Sequence, residues 1–551
     1  MRGREVLLDS FALHGVEYIF GNPGTTENPL LDGLVEYPAI QYIMALHEGV
    51  AMAAANTYTQ ASGKSAVVNL HAAPGLGNAA GNLFCAFKAG SPLIVTAGQQ
   101  DVRLRVREPV LQHDLVAMAA PITKWSVQIE RPDEVGPIMR RAFKIAHEAP
   151  RGPVFVALPV DVMEGETDIG ASKAGMLYPA AAADTRGIAA AAELLLASKS
   201  PAIIVGDEVA WAHASETVVA LAERTGATMW LEWLRNQSPV PTMHATARGS
   251  MPTDMAGMRK ALSKTDFVLM IGGRFFEELW FEPGTPFAPG TKVVQIESAP
   301  VRLAYNNPLD IGLTGDIAQT AQALLAQVEA HSDSGYRNAA AERLAALGRE
   351  KAAQMAAVAE QIRAMPTDGA MRSAQALAAI RDALPPRTII VEESSTTRGD
   401  VARILPFSGP GDYFAGRGGG IGQGLPGALG AKVACPDRPV VALSGDGSGM
   451  YGVQALWSAA HHKLNIVFLI FANREYRVLK QNIDEYRARF RAPTDRPYPH
   501  MDLSEPNLDY VRLAEGMGVA ATRVTTPAEL TRALGVAFAA NAPYLIEMVV
   551  A

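Results

Sequence analysis

The stretch Val441–Asn473 constrains the fold of this chain more than any other segment. It reads as an apolar strand, a Gly-Asp-Gly turn, a helical segment and a second apolar strand that ends in an asparagine. Gly447 and Asn473 are separated by 25 residues, which suits one helix and the next parallel strand. Asp446 and Asn473 are therefore expected to follow neighbouring strands, on the edge where open α/β sheets bind ligands.

The same segment has the chemistry of a metal–phosphate site. The carboxylate of Asp446 and the amide oxygen of Asn473 suit Mg²⁺, which takes further ligands from water and phosphate groups. Gly447 allows close approach of the backbone, and Ser448 is expected to open a helix whose N–H groups favour phosphate oxygens. A solvated turn would explain the Gly-Asp-Gly sequence alone, but it leaves the spaced asparagine unexplained. The pattern therefore predicts a clamp for Mg²⁺ and a diphosphate.

Length, charge and cysteine content limit the class of protein. A chain of 551 residues is expected to form about three domains. The net charge is 49 − 56 = −7 without a basic block, so nucleic acid is not an expected partner. Cys85 and Cys435 lie in apolar stretches and are expected to be free thiols in a reducing compartment. No secretory signal or membrane-length apolar run is visible, so we expect no membrane partner and a cytoplasmic location.

Apolar runs alternate with helical patterns along the whole chain, which predicts an α/β protein of three doubly wound parallel-sheet domains. We expect the domains over residues 1–170, 187–330 and 371–551, with a linker at 166–186. A helical segment at 331–370 should lead into the last domain. The thirteen predicted strands lie in the runs VEYIFG, IQYIMAL, SAVVNL, PLIVTAG, PVFVALP, PAIIVG, ATMWLE, FVLMIGG, KVVQIE, TIIVEE, PVVALSG, NIVFLIFAN and PYLIEMVV.

Five motifs together resemble one enzyme family. The Gly-Asp-Gly sequence followed some 25 residues later by asparagine resembles the thiamine-diphosphate (ThDP) signature. HEGVAMAAANTYTQASG resembles the helix that carries the cofactor-activating glutamate of that family, and FAGRGGGIGQGLPGALG has its glycine-rich pattern. GNPG followed by a hydroxyl residue, and NLHAAPGLGNAAGN, resemble benzoylformate decarboxylase. The chain thus resembles the ThDP-dependent decarboxylases and acetolactate synthases, which implies pyrimidine-binding, middle and diphosphate-binding domains in that order.

The resemblance implies roles for residues of the first domain. Glu48 would hydrogen-bond the aminopyrimidine ring so that the cofactor can lose its thiazolium C2 proton. Thr25 occupies the position of a serine that holds the substrate carboxylate. His71 would orient the carboxylate and relay a proton, because histidine titrates near neutral pH, and His113, beside Gln112, could assist. Judged without the resemblance, Glu48 could merely complement a helix dipole and His71 could be a buried structural histidine.

In the third domain the resemblance implies a complete cofactor site. Ser395 and Thr396 would contact the diphosphate, the Gly419 carbonyl would accept from the aminopyrimidine, and Ile421 would wedge beneath the bent cofactor. Tyr476 would pack beside the diphosphate. The remaining implied contacts to the cofactor come from Asp446, Gly447, Ser448 and Asn473, and those to Mg²⁺ from Asp446, Asn473 and the backbone carbonyl of Glu475.

The part of the sequence that would meet the substrate departs from this pattern. Leu279 stands where benzoylformate decarboxylase has a second catalytic histidine, and Asn482 stands where the family has a pocket phenylalanine. Arg477 and Lys480 could lie near the pocket entrance, although exposed basic residues are more often solvated surface. Arg274, in the GGRF segment, together with Gln112 and Leu279, keeps a carboligase possible.

These residues predict a ThDP- and Mg²⁺-dependent enzyme that decarboxylates a 2-oxo acid to an aldehyde. The first alternative is a carboligase similar to acetolactate synthase, against which His71 argues. The second is a non-catalytic protein that binds a nucleotide or partner through its middle domain, against which Glu48, Asp446 and Asn473 argue. Because Glu48 and Asp446 come from different subunits in the resembling family, we expect a homodimer or homotetramer with active sites at the subunit interface.

Overall fold

The computed structural model describes residues 1–177 and 181–551, so part of the predicted linker at 166–186 lies outside the described residues. Internal contacts divide the chain into two compact units. The first is built on two β-sheets and the second on one. The first unit comprises Met1–Gly175, Thr367–Gly399 and Phe414–Ala551, and the second comprises Met176–Pro366 and Asp400–Tyr413. The domain boundaries predicted from the sequence stay predictions.

The first sheet is formed by the N-terminal part of the chain. Its strands are β1 (Tyr18–Gly21), β2 (Gln41–Met44), β3 (Val67–Leu70), β4 (Ile94–Gln99), β5 (Trp125–Gln128) and β6 (Val154–Pro159). They are parallel, in the order β2-β1-β3-β4-β6-β5. The helices are α1 (Gly3–Leu13), α2 (Asn28–Gly33), α3 (Glu48–Ser62), α4 (Ala72–Ala89), α5 (Leu115–Ala119), α6 (Val135–His147) and α7 (Val160–Glu164).

The second sheet forms the second unit. Its strands are β7 (Pro201–Val205), β8 (Thr228–Leu231), β9 (Ala247–Ser250), β10 (Phe267–Ile271), β11 (Lys292–Glu297) and β12 (Ile311–Thr314). The parallel order is β12-β11-β10-β7-β8-β9. The helices are α8 (Thr185–Ala197), α9 (Glu208–Trp211), α10 (Ser215–Thr225), α11 (Met255–Ala261), α12 (Ile317–His331) and the long α13 (Ser334–Arg363), which accounts for the helical segment predicted at 331–370.

The third sheet carries the Gly-Asp-Gly turn. Its strands are β13 (Ile389–Glu393), β14 (Tyr413–Ala415), β15 (Val440–Gly445), β16 (Val467–Ala472), β17 (Ala520–Val524) and β18 (Tyr544–Val549), in the order β14-β13-β15-β16-β18-β17. The helices are α14 (Ser373–Ala383), α15 (Arg398–Ile404), α16 (Gly424–Ala434), α17 (Asp446–Gly449), α18 (Ala455–His461), α19 (Arg477–Phe490), α20 (Tyr510–Gly516) and α21 (Pro527–Ala539). Among the described residues, no helix combines the length and apolar character needed to cross a bilayer.

The predicted fold class, α/β with three doubly wound parallel sheets, is confirmed. All thirteen predicted strands are present, and the five further strands of the described chain (β5, β9, β12, β14 and β17) each lie at the edge of a sheet. Central parallel strands are covered on both faces and therefore read as continuous apolar runs. An edge strand such as β5, with every residue only half-buried, lacks that signal.

Helices α3 and α16 cross at very short distance and join the two sheets of the first unit. A Cβ atom at Gly430 of α16 would lie 1.9 Å from the carbonyl oxygen of Ala54 and 2.7 Å from the amide nitrogen of Tyr58. Only a residue without a side chain allows backbones to approach this closely. Tyr58 and Ala54 belong to one apolar core that contains residues of both sheets.

The substitution Gly430→Ala is expected to lower the free energy of unfolding by at least about 1–3 kcal/mol, because the added methyl group forces the two backbones apart. The measurement is urea unfolding followed by circular dichroism. Gly535→Ala is the matched control, since Gly535 lies inside α21 with open space around its missing side chain; it should stabilise the protein by about 0.5–1 kcal/mol. Equal effects of the two substitutions would contradict the packing role of Gly430.

Candidate active site

Asp446 and Asn473 follow β15 and β16, which are directly paired neighbours. Asp446 is only 4% exposed, and its carboxylate accepts hydrogen bonds from the backbone N–H groups of Gly447 (2.9 Å) and Arg474 (2.6 Å). The amide oxygen of Asn473 accepts from the N–H of Glu475 at 3.1 Å. Burial raises the pKa of Asp446, opposed by the backbone donors. The two strand ends thus bring the oxygens of both side chains to one edge of the sheet.

The donors at this edge fit magnesium. The cleft around them is lined by Ser394–Thr397, Gly445–Ser448, Phe471, Asn473 and Glu475–Val478. In the described part of the chain, no three His, Cys, Asp or Glu side chains come together as a metal site. A cation here would be held by the Asp446 carboxylate, the Asn473 amide oxygen and the Glu475 carbonyl, with phosphate oxygens completing the shell. Mg²⁺ is the divalent ion that proteins hold with one or two carboxylates plus phosphate.

The turn after β13 presents hydroxyl groups to the same cleft. Ser395 and Thr396 are exposed, and neither side chain hydrogen-bonds to another described residue. Ser394 is turned inward, where its hydroxyl donates to Glu392 at 2.8 Å. Glu392 also receives a hydrogen bond from Arg398 at 2.9 Å. The inward bonds hold the turn and leave the two outward hydroxyls available to a diphosphate.

The glycine-rich loop before α16 exposes one apolar side chain. Gly418, Gly419 and Gly422 have φ angles of +89°, +79° and +92°, which only glycine adopts without strain. Between them, Ile421 is 38% exposed. The Ile421 side chain is therefore available to pack against a ligand, the contact that the resemblance implies for the cofactor.

The Gly-Asp-Gly turn differs in one respect from the prediction. The helix expected to open at Ser448 is interrupted, because α17 ends at Gly449 and α18 begins at Ala455. The aligned dipoles of a long helix are therefore missing at Ser448. Gly447 is required for packing, since a Cβ atom there would lie 2.5 Å from the ring of Tyr476. That contact places Tyr476 beside the turn.

Glu48 begins α3 and is only 5% exposed. Its Oε2 accepts a hydrogen bond from the side chain of Asn78 at 3.0 Å, and no described residue donates to Oε1. The ring of His47 caps the helix by accepting the N–H of Gly49 at 3.0 Å. A Cβ atom at Gly75 would lie 3.0 Å from Oε1, so the glycine leaves room for the carboxylate. One oxygen of a buried, oriented carboxylate is thus available to a ligand.

His71 is paired with a buried carboxylate that sequence reasoning missed. Its Nδ1 lies 2.9 Å from Oε2 of Glu27, whose side chain is fully buried. Oε1 of Glu27 accepts from the hydroxyl of Thr26 (2.7 Å) and the N–H of Gly98 (3.0 Å). The sequence feature that could have indicated this pairing is an acidic residue shortly after GNPG. In the structure it lies in the short 3-10 turn Thr25–Glu27.

The surroundings of this pair are built to hold it. A Cβ atom at Gly24 would lie 2.0 Å from Nδ1 of His71 and 2.4 Å from Oε2 of Glu27, so only glycine fits there. Ala72, next to His71, has a φ of +46°, a strained conformation of the kind that clusters at functional sites. Thr25 is exposed and makes no side-chain hydrogen bond to a described residue. The neighbouring Thr26 has its hydroxyl oxygen 3.5 Å from Nδ1 of His71. Thr26 therefore lies beside the His71–Glu27 pair.

The loop that carries His113 is anchored through its backbone. The side chain of Gln99 donates to the carbonyl oxygen of His113 at 2.9 Å, while the His113 ring is exposed. The amide oxygen of Gln112 is buried without a hydrogen-bond partner in the described residues. No hydrogen bond connects the ring of His113 with the His71–Glu27 pair, and its role in proton transfer stays a prediction.

In the second unit, the GGRF segment is held in a strained conformation. The buried carboxylate of Glu232 accepts the N–H groups of Arg274 (2.9 Å) and Phe275 (3.1 Å). Phe275 and Phe276 have φ angles of +40° and +57°, which is costly for bulky residues. Leu279 follows on the surface of this unit, 64% exposed. This strained backbone costs free energy of folding. It lies in the segment that the resemblance aligns with a second acid–base residue.

The basic residues Arg477 and Lys480, which follow Asn473, are paired with an acidic side chain. Arg477 and Lys480 both hydrogen-bond the side chain of Glu475. Although burial acts in the opposite direction, these cations hold the pKa of Glu475 below its ordinary value. The side chain of Glu475 is thus occupied, which leaves its backbone as the implied metal ligand. Asn482 is half-buried on the following turn of α19.

Three protein-family descriptions match the chain in consecutive segments: "Thiamine pyrophosphate enzyme, N-terminal TPP binding domain" over residues 1–119, its "central domain" over 188–324 and its "C-terminal TPP binding domain" over 393–548. Benzoylformate decarboxylase of Pseudomonas aeruginosa is 34% identical over 97% of this chain and 96% of its own. The acetolactate synthase large subunit of Parasynechococcus marenigrum is 26% identical over 99% of this chain and 87% of its own.

Among solved structures, the thiamine diphosphate-dependent 4-hydroxybenzoylformate decarboxylase of Rhodococcus jostii RHA1 superposes with a TM-score of 0.86. It is 30% identical, and the match covers 100% of this chain and 99% of that one. These relatives include both enzyme classes that the sequence suggested, the decarboxylases and the acetolactate synthases. Enzymes of both classes use thiamine diphosphate. The chain therefore belongs to the family of thiamine-diphosphate-dependent enzymes that includes benzoylformate decarboxylase and acetolactate synthase.

Proposed function

We propose that this protein is a ThDP- and Mg²⁺-dependent decarboxylase that converts a 2-oxo acid into CO₂ and an aldehyde. The observation that carries the proposal is the pairing of His71 with the buried carboxylate of Glu27, at the carboxyl edge of the first sheet. A histidine so oriented can hold a substrate carboxylate and move a proton near neutral pH. The names of the P. aeruginosa and R. jostii relatives support the same reaction class.

Glu27 determines which nitrogen of His71 is available. Where Glu27 is ionised its carboxylate can only accept, and the hydrogen between Oε2 of Glu27 and Nδ1 of His71 is then the one that Nδ1 donates. Nε2 is then left without a hydrogen in the neutral ring, directed away from Glu27. It can accept a proton, and as an imidazolium it can hydrogen-bond the substrate carboxylate or return the proton to the product carbon.

Bound thiamine diphosphate supplies the carbon nucleophile and the electron sink that the loss of CO₂ requires. Oε1 of Glu48 would share a proton with the ring nitrogen of the aminopyrimidine, which is how the chain activates the cofactor. Ser395 and Thr396 would donate to diphosphate oxygens, and Ile421 would pack beneath the cofactor. Without a bound cofactor, the side chains of Ser395, Thr396 and Ile421 would remain exposed to solvent.

A carboligase is the second candidate, and Leu279 is the observation that favours it. The resemblance aligns this apolar residue with a second catalytic histidine, and without that acid another carbonyl compound could trap the reaction instead of a proton. The deciding experiment incubates the protein with ThDP, Mg²⁺ and a panel of 2-oxo acids, and quantifies CO₂, aldehyde and acyloin separately. We expect aldehyde as the main product and aryl 2-oxo acids as the poorer substrates. Acyloin as the main product would establish the carboligase.

Asp446→Ala is expected to abolish Mg²⁺-dependent binding of ThDP, because the ion would lose its carboxylate ligand. Isothermal titration calorimetry of ThDP with and without Mg²⁺ measures this directly. Asp437→Ala is the matched control: Asp437 is exposed and precedes β15 at the opposite end of the strand, so affinity should be unchanged. An unaltered ThDP affinity in Asp446→Ala would remove the metal assignment.

His71→Ala is expected to slow decarboxylation by ~10²–10⁴-fold, the usual value of general acid–base assistance, while calorimetry shows ThDP affinity unchanged. Glu27→Gln should reduce kcat less and alter its pH profile, because His71 would remain but lose the carboxylate that orients it. Wild-type turnover of the best substrate by His71→Ala would make this histidine structural and favour the carboligase.

We further propose that the active sites lie between subunits of a homodimer or a tetramer of dimers, each site combining Glu48 of one chain with Asp446 of another. Glu48→Gln and Asp446→Ala proteins should each be inactive. Their mixture, after subunit exchange, should regain activity, because one site of each hybrid dimer contains neither substitution. A fully active monomer, sized by light scattering at the assay concentration, would rule this arrangement out.

A further inference from the structure

Gln423 sits at the centre of a buried network of amide side chains in the first unit. Its Nε2 donates to Oδ1 of Asn82 on α4 at 2.5 Å, and its Oε1 accepts from Nδ2 of Asn56 on α3 at 3.2 Å. All three side chains are at least nine-tenths buried. Both polar atoms of the Gln423 side chain are therefore satisfied by partners more than 300 residues away in the sequence.

The network reaches the start of the helix that carries Glu48. Nδ2 of Asn82 donates to the carbonyl oxygen of Gly49 at 2.7 Å. Gly49 is adjacent to Glu48, so this bond fixes the first turn of α3. In the other direction, Oδ1 of Asn56 accepts from Gln60 (3.0 Å) and Ser91 (2.6 Å), so Asn56 keeps a donor when Gln60 is replaced.

At its other end, the network holds the glycine-rich loop. Gln423 follows Gly422 directly, two residues after Ile421, and its backbone N–H donates to Oε1 of the buried Glu393 at 2.8 Å. A Cβ atom at Gly416 would lie 2.8 Å from Cγ of Gln423, so the loop closes tightly over this side chain. Burial raises the pKa of Glu393 to about 7 against its backbone hydrogen bonds.

Stability alone does not explain this arrangement. The network lies beside an apolar core of residues from α3, α4 and α16, where hydrophobic side chains of similar volume would pack without the cost of burying amides. The triad of Gln423, Asn82 and Asn56, in which every amide oxygen and nitrogen has a partner, instead specifies one relative position of the groups that it connects. Here those groups are the loop that bears Ile421 and the helical turn that bears Glu48.

We propose that Gln423 is a positioning residue for cofactor activation, which couples the loop around Ile421 to the Glu48 helix of the same chain. The proposal rests on the proposed ThDP site between subunits. In that arrangement the loop and Glu48 of one chain serve different cofactors, so the amide network connects two active sites of a dimer. No side chain of the network need touch either cofactor.

The first test compares Gln423→Met with Gln60→Met. Both remove a buried amide, but only Gln423 contacts the loop and, through Asn82, the first turn of α3. In the cofactor-free protein, Gln423→Met should accelerate amide hydrogen exchange at residues 49–52, measured by mass spectrometry. With saturating ThDP and Mg²⁺, it should slow exchange of the ThDP C2 proton with D₂O by roughly 10- to 100-fold, as misplacement by about an ångström can do. Gln60→Met should change neither rate.

A second variant separates positioning from stability. In Gln423→Met combined with Asn82→Leu and Asn56→Leu, apolar groups of similar shape replace all three amides, so much of the lost stability should return. The slow C2 exchange should persist. Recovery of the wild-type exchange rate in this variant, or an unchanged rate in Gln423→Met, would overturn the proposal.

The coupling itself is tested in the hybrid dimer of a Glu48→Gln subunit and an Asp446→Ala subunit, which retains one intact site. Gln423→Met should slow C2 exchange at that site when placed in either subunit, since one placement disturbs the loop and the other disturbs the Glu48 helix. An effect only in the subunit that supplies Asp446 would refute the coupling. A hybrid without any intact site would refute the interface arrangement instead, and the hydrogen exchange at residues 49–52 would still decide the role of Gln423.

Discussion

The contact of Gly430 with the backbone of α3 is the constraint on which the rest of the first unit depends. It sets the separation of α3 and α16, and hence of the two sheets that those helices cover. Glu48 lies at the first residue of α3, and the glycine-rich loop ends where α16 begins. One close approach between backbones therefore positions both functional ends, and the amides around Gln423 then fix them more finely than apolar contacts could.

The first unit buries several carboxylates, and each has donors that offset the cost of burial. Glu27 accepts a hydroxyl and a backbone N–H beside His71, Glu48 accepts one amide, and Glu393 accepts two backbone N–H groups before α16. Asp446 accepts two more at the Gly-Asp-Gly turn. Both carboxylate oxygens of Glu27 have hydrogen-bond partners, whereas Oε1 of Glu48 has no donor among the described residues. That difference separates a carboxylate that orients a histidine from one that is available to a ligand.

Much of this arrangement could be predicted from the amino-acid sequence. The central strands, the helix at Glu48 and the strand ends at Asp446 and Asn473 were predictable, because burial on both faces and the fixed geometry of a parallel crossover leave a local signature. Five of the six edge strands were not, and β5 shows one reason, since a half-covered strand lacks a continuous apolar run. Glu27 was missed for a different reason: an acidic residue in a short turn has many ordinary explanations, and only the approach of His71 gives it a function.

The sequence by itself determined the fold class and the three-sheet organisation, because both are encoded by the periodicity of nearby residues, and its resemblance to a known family implied the cofactor. Tertiary structure alone decided that His71 meets Glu27 and Thr26, and that Gln423 bonds to Asn82 and Asn56. Those outcomes depend on contacts between residues tens to hundreds of positions apart. No local pattern records such distances, since they are set by how closely the helices and sheets pack.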